Sequence, residues 1–252
     1  MDRVLRVILF PALIAQAISV RRSTLRLPEP IGPRSGDVIR KVDYPPLRIL
    51  IAGDSSAAGV GVSTQAEALS GQLAAQLSCT HSVHWRLLAT NGHRTADTLL
   101  RLQQEPTGRD VDVVVLALGV NDVTRLTSKT RFHMEQSALI NLLKRKYRAK
   151  LIILCGVPPM ARFPALPNPL AWFLGQHAAR LDQVLARLAE TQADVLHLPF
   201  QIDLSPDMAA RDGYHPSARA YSLWAEVLCK TIRGWGNPAR RDASDGQATW
   251  NR

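Results

Sequence analysis

Val113-Val114-Val115-Leu116-Ala117-Leu118 is six apolar residues in a row, with Asp112 before them and Gly119 after. A strand wet on one face alternates in polarity. A short unbroken run between turn residues therefore reads as a strand buried on both faces. Leu47–Ala52, interrupted only by Arg48, and Leu151–Cys155 read the same way, and Val83–Ala89 and Val195–Leu198 complete a set of five. Helical spacing fills the intervals. It appears in Leu69, Leu73 and Leu77, in Thr95–Leu102, in Arg131–Tyr147 with Leu139, Leu142 and Leu143, and in Leu174, Ala178, Leu181, Leu185 and Leu188. Thr64-x-x-Glu67 reads as a capping box for the first of these helices. Ser217 reads as the cap of a last helix that carries Tyr221, Trp224, Leu228 and Ile232. Strands that alternate with helices in this way require parallel βαβ units. The expected fold is an α/β, three-layer α/β/α sandwich with about five parallel strands over residues 47–233.

The flanks read differently. Val7–Val20 is apolar, with Arg3 and Arg6 ahead of it and Arg21, Arg22 and Arg26 behind. Pro11 interrupts it, and the run is shorter than the ~20 residues of a spanning helix. The expectation for residues 1–20 is membrane association through residues 4–20, with the rest of the chain on the cytoplasmic face because the stronger positive charge follows the segment. The alternative is export after signal cleavage near Ala15-Gln16-Ala17. Residues 21–46, with five prolines, read as a linker, and residues 234–252 as a disordered tail.

The net charge of +10, from 31 basic and 21 acidic residues, concentrates at the chain ends and in Lys144–Lys150. No aromatic residues interleave there as a nucleic-acid groove would require, so no nucleic-acid partner is expected. Cys79, Cys155 and Cys229 have neither zinc nor disulfide spacing, so no metal is expected.

The chemistry lies at element ends. Gly53-Asp54-Ser55-Ser56 follows the first strand, Asn91-Gly92 the second and Gly119-Val120-Asn121-Asp122 the third. In an open parallel sheet these are the carboxyl ends, where ligands bind. Ser55 can be a nucleophile or merely a helix cap. The Gly92 amide and the Asn121 side chain can aim at one oxygen, as an oxyanion hole requires. Asp212-Gly213-Tyr214-His215-Pro216 places a carboxylate three residues before an imidazole, close enough to hold Nδ1 and leave Nε2 free to take a serine proton.

With these blocks in this order the chain resembles the GDSL-type, or SGNH, hydrolases. Ser55 stands in the Gly-Asp-Ser block, Asn121 in the Gly-x-Asn-Asp block, and Asp212 and His215 in the Asp-x-x-His block. Gly92 fits the glycine block only in part, and Ser56 replaces the usual leucine. The resemblance covers about Leu47–Ile232. It implies a flavodoxin-like sandwich and hydrolysis of carboxylic esters without a cofactor, through an acyl-enzyme. In that reading Ser55, His215 and Asp212 are catalytic, and Ser55, Gly92 and Asn121 hold the oxyanion of a small-molecule ester or acylated substrate. An acyltransferase with the same triad and a non-catalytic binding domain are the rivals. Pro158–Leu170 leaves the fourth strand on the catalytic side, so Phe163, Leu166 and the nearby Trp172 are the expected walls of an acyl pocket.

Overall fold

A computed structural model of the chain describes residues 2–39, 46–106, 110–203 and 205–235. The strands are β1 (Ser35–Val38), β2 (Leu47–Gly53), β3 (Val83–Ala89), β4 (Val113–Ala117), β5 (Leu151–Cys155) and β6 (Val195–Leu198). The helices are α1 (Asp2–Ser23), α2 (Ser55–Ala58), α3 (Leu69–Leu77), α4 (Thr95–Gln104), α5 (Val120–Thr124), α6 (Lys129–Lys146), α7 (Leu170–Glu190) and α8 (Ala218–Trp235). The strands form one sheet in the order β1-β3-β2-β4-β5-β6. β2 to β6 pair in parallel, and β1 lies antiparallel to β3 at the edge.

Period-two alternation divides the core into two layers. Leu50, Ala52, Val114, Leu116, Ile152 and Leu154 face α4, α6 and α7. Ile49, Ile51, Val113, Val115, Leu151 and Ile153 face α3 and α8. β3 lies on one side of β2 and β4 on the other, so the strand order reverses at β2. That reversal opens a crevice at the carboxyl ends of β2 and β4. Gly53 lets the strands close there. With φ of +156°, a Cβ on it would lie 2.0 Å from the Ala117 carbonyl oxygen, which instead accepts the Asp54 amide at 3.1 Å.

The flanks depart from the linker reading. Residues 35–38 of the expected linker form β1, with Gly36 packed against the Trp85 indole of β3. Nearer the amino terminus, α1 docks on the body. Leu13 is buried, the Gln16 amide donates to the Asn168 carbonyl, and its oxygen accepts the Leu170 amide. Among the described residues no helix is long and apolar enough to cross a membrane. The expected tail lies outside the described residues from residue 236 onward.

Two local expectations also shift. Glu67 does accept the Thr64 amide and hydroxyl, but α3 starts only at Leu69, so this box closes a turn ahead of the helix. α6 starts at Lys129 because the Ser128 hydroxyl caps it by accepting the Arg131 amide. The basic run at its end meets acids at the amino ends of the strands, away from the crevice. Lys144 pairs with Asp194 and Lys150 with Asp112.

Candidate active site

Asp54 caps α2, its carboxylate accepting the Ser56 amide at 2.9 Å and the Ser56 hydroxyl at 2.7 Å. This cap starts a helical turn directly after β2 and places Ser55 at its first position. No carbonyl within the helix can take the Ser55 amide there. On the far side of the crevice, Asp212 organises the segment before α8. Its Oδ1 accepts the amides of Tyr214 and His215, each at 3.0 Å, and its Oδ2 lies 2.6 Å from His215 Nδ1. His215 Nε2 lies 2.9 Å from Ser55 Oγ. The Asp212 side chain is fully covered, whereas 15% of His215 is exposed along the crevice. The structure thus joins Ser55, His215 and Asp212 in one hydrogen-bonded chain, which can carry a proton from the hydroxyl to the imidazole.

The electrostatics differ between the two aspartates. Burial alone would raise Asp212, but the hydrogen bonds from His215 and the two amides outweigh it and hold the carboxyl below its ordinary range. It therefore stays ionised and keeps a proton on Nδ1. Asp54 is also buried, and burial pushes it up to about 6 against the opposing Ser56 bonds and the His215 charge. Cys155 lines the same crevice, but burial pushes its thiol up to about 12, so no competing thiolate forms at neutral pH.

The other sequence-derived residues divide. Asn121 Nδ2 donates to the His93 carbonyl at 3.0 Å, which brings the α5 end against the turn that carries Gly92. Gly92 has φ of +81°, and nothing lies within 4 Å of the position a Cβ would take. Beneath them Asp122 is wholly buried and accepts the Thr95 amide and hydroxyl and the Thr127 hydroxyl, tying the starts of α4 and α5 together.

The crevice, about 820 Å³ and open to solvent, runs from Ser55 and His215 to an apolar floor of Phe200, Ile202, Met208 and Trp224. Phe163 lines it and meets Tyr214 edge-on at 5.1 Å, and Tyr214 in turn packs beside His215. Leu166 and Trp172 do not line it. Leu166 packs on the core beside the fully buried Met160 of the same loop. The floor comes instead from the segment after β6 and from α8. A further strut was not read from the sequence. Asp182 of α7 accepts the Val157 amide and pairs with His197, holding the loop that leaves β5. Among the described residues no group of three or more His, Cys, Asp or Glu side chains is placed to hold a metal ion.

The sequence model of the GDSL-like lipase/acylhydrolase family matches residues 51–223. The chain belongs to this family. It is similar to a GDSL-like esterase of Mycobacterium tuberculosis, 26% identical over 199 residues. The match covers 74% of this chain and 62% of that relative, so the chain spans about three-fifths of the relative's length. A psychrotrophic esterase from Pseudoalteromonas superposes with a TM-score of 0.57 at 21% identity, covering 75% of this chain and 97% of that one. A family two carbohydrate esterase from Myceliophthora fergusii superposes with a TM-score of 0.60 at 18% identity, over 78% and 68%. These structural likenesses show the GDSL fold. The matched family span begins inside β2, so the arm before it and α1 lie outside the family pattern.

The Asp54 environment yields a pH prediction. Its folded pKa lies above the ordinary 3.8, so the native state holds this proton more tightly than the unfolded chain. That contribution is full below about pH 4 and is lost as pH rises through about 6. Asp54→Asn keeps an acceptor for Ser56 and cannot ionise. Its stability relative to wild type should rise between pH 4 and pH 7, by on the order of 2 kcal/mol. Thermal melts across that range read the difference, and a constant offset would contradict the assignment.

Proposed function

We propose that the protein is a serine hydrolase that cleaves carboxylic esters with an apolar acyl group through an acyl-enzyme on Ser55. The observation that carries this reading is the 2.9 Å contact between His215 Nε2 and Ser55 Oγ, made between residues 160 positions apart. Ser55 Oγ attacks the ester carbonyl and its proton passes to Nε2. Asp212, ionised and bonded at Nδ1, fixes the tautomer and supports the imidazolium. The amides of Ser55 and Gly92 and the Asn121 side chain receive the oxyanion. Collapse expels the alcohol, which takes the proton from Nε2. Water then enters by the same route in reverse, leaving the free acid and the serine hydroxyl. The apolar floor at Phe200, Ile202 and Trp224 suits the acyl group, with the alcohol toward solvent.

Ser55→Ala and His215→Ala should each lower kcat/KM on p-nitrophenyl butyrate by about 10⁴-fold or more, with unchanged thermal melts. Near wild-type turnover in both variants would overturn the mechanism. Free butyrate as the product separates hydrolysis from transfer to an added alcohol.

We further propose that α1 lies on an anionic membrane surface without crossing it. Leu13 and Gln16 hold one face to the body, while Phe10, Ile14 and Ile18, spaced by four, are 60%, 43% and 47% exposed along the other. Arg21, Arg22 and Arg26 are exposed just beyond. An apolar stripe beside cationic groups is the pattern of a helix lying in the interface plane. The Gln16 bonds to Asn168 and Leu170 favour a retained helix over a cleaved signal. The full chain should float with vesicles containing phosphatidylglycerol, and a variant with Phe10→Ser, Ile14→Ser and Ile18→Ser should not. Failure of the unaltered chain to float would sink this proposal and leave the catalytic one intact.

A further inference from the structure

Glu29 sits in the arm read from the sequence as a linker, 62 residues from the turn it touches. Its Oε1 accepts the Asn91 amide at 2.9 Å, and its Oε2 pairs with the Arg34 guanidinium at 2.7 Å. Arg34 in turn donates to the Ala89 carbonyl, at the carboxyl end of β3, and its own carbonyl accepts the Leu87 amide at 2.7 Å. The arm also reaches the serine's side of the crevice. Pro30 packs against Gly59, which ends α2, and the Ile31 carbonyl accepts the Gln65 amide at 2.8 Å, while the Gln65 side chain donates to the Ala58 carbonyl at 2.9 Å. A single strap thus contacts both the helix of Ser55 and the turn of Gly92.

The turn needs such an anchor. His93 donates to the Thr90 carbonyl at 3.2 Å and Gly92 has φ of +81°, the signature of a type II turn over Thr90–His93. Its central peptide carries the Gly92 N–H. Types I and II differ by a half-rotation of that one peptide, which would reverse the direction of the N–H. Asn121 holds the far end of the turn through His93, and Glu29 holds the near end through Asn91. Nothing packs within 4 Å on the side of Gly92 where a Cβ would point.

We propose that Glu29 is a positioning residue that keeps the Gly92 amide aimed at the oxyanion, making the amino-terminal arm part of the catalytic apparatus. This rests on the reading of Gly92 and Asn121 as oxyanion donors. The test uses the full chain with Glu29→Ala, Glu29→Gln and, as reference, Asn121→Ala. Glutamine retains an acceptor for the Asn91 amide, and alanine does not.

Glu29→Ala should lower kcat on p-nitrophenyl butyrate about ten- to a hundredfold with KM within about twofold, because the oxyanion exists mainly in the transition state. Glu29→Gln should recover most of the loss. A trifluoromethyl ketone with the same acyl chain, which forms an oxyanion on Ser55, should lose affinity for Glu29→Ala in proportion to kcat/KM. A general loss of structure would not be rescued by glutamine and would appear in the thermal melt. Unchanged kcat in Glu29→Ala beside an impaired Asn121→Ala would overturn the proposal, as would an equal loss in Glu29→Gln. Unchanged kcat in Asn121→Ala would overturn the oxyanion reading beneath it.

Discussion

The site depends on how closely β2 and β4 approach at their carboxyl ends. A side chain on Gly53 would collide with the Ala117 carbonyl, which is already bonded to the Asp54 amide. With no Cβ the chain turns off the sheet within one residue, Asp54 caps the next turn, and Ser55 emerges at the topological switch point. Asn121 follows the end of the neighbouring parallel strand β4, on the other side of the point where the strand order reverses, and bonds the His93 carbonyl. The remaining partners arrive from the segment before α8, which Tyr221 fastens by donating its hydroxyl to the Val60 carbonyl just beyond α2.

Burial serves the two aspartates differently. Asp212 gives up solvent but gains three hydrogen bonds, so its charge remains and holds His215 in the tautomer that leaves Nε2 free. Asp54 has fewer donors for its burial and its carboxyl rises, at some cost in stability near neutral pH. That cost sits where the chain turns most sharply, as is common where local structure serves a site.

The layers and the triad were legible because both have short-range signatures. Unbroken apolar runs mark strands buried on two faces, and Asp212 and His215 sit three apart in one segment. β1 was not legible. Ser35-Gly36-Asp37-Val38 has no hydrophobic alternation, and it becomes a strand because the β3 edge is free and Trp85 covers Gly36. Of the expected pocket walls, Phe163 lines the cleft and Leu166 and Trp172 do not. Leu166 and Trp172 follow β5 in sequence, but the cleft is lined instead by Phe200 and Ile202 from the segment after β6 and by Trp224 of α8. Glu29 has no local signal, since its meaning lies in a bond across the fold.

The central claim is that Ser55, activated by His215, takes the acyl group of an ester. Acid-quenching the protein within its first turnovers of a slowly deacylating ester, p-nitrophenyl trimethylacetate, and mapping the added acyl mass by peptide mass spectrometry tests it directly. The account predicts one adduct, on the peptide carrying Ser55, absent from His215→Ala quenched at the same time. An adduct on another residue, or turnover of the ester with none detectable on Ser55 when deacylation is rate-limiting, would contradict it.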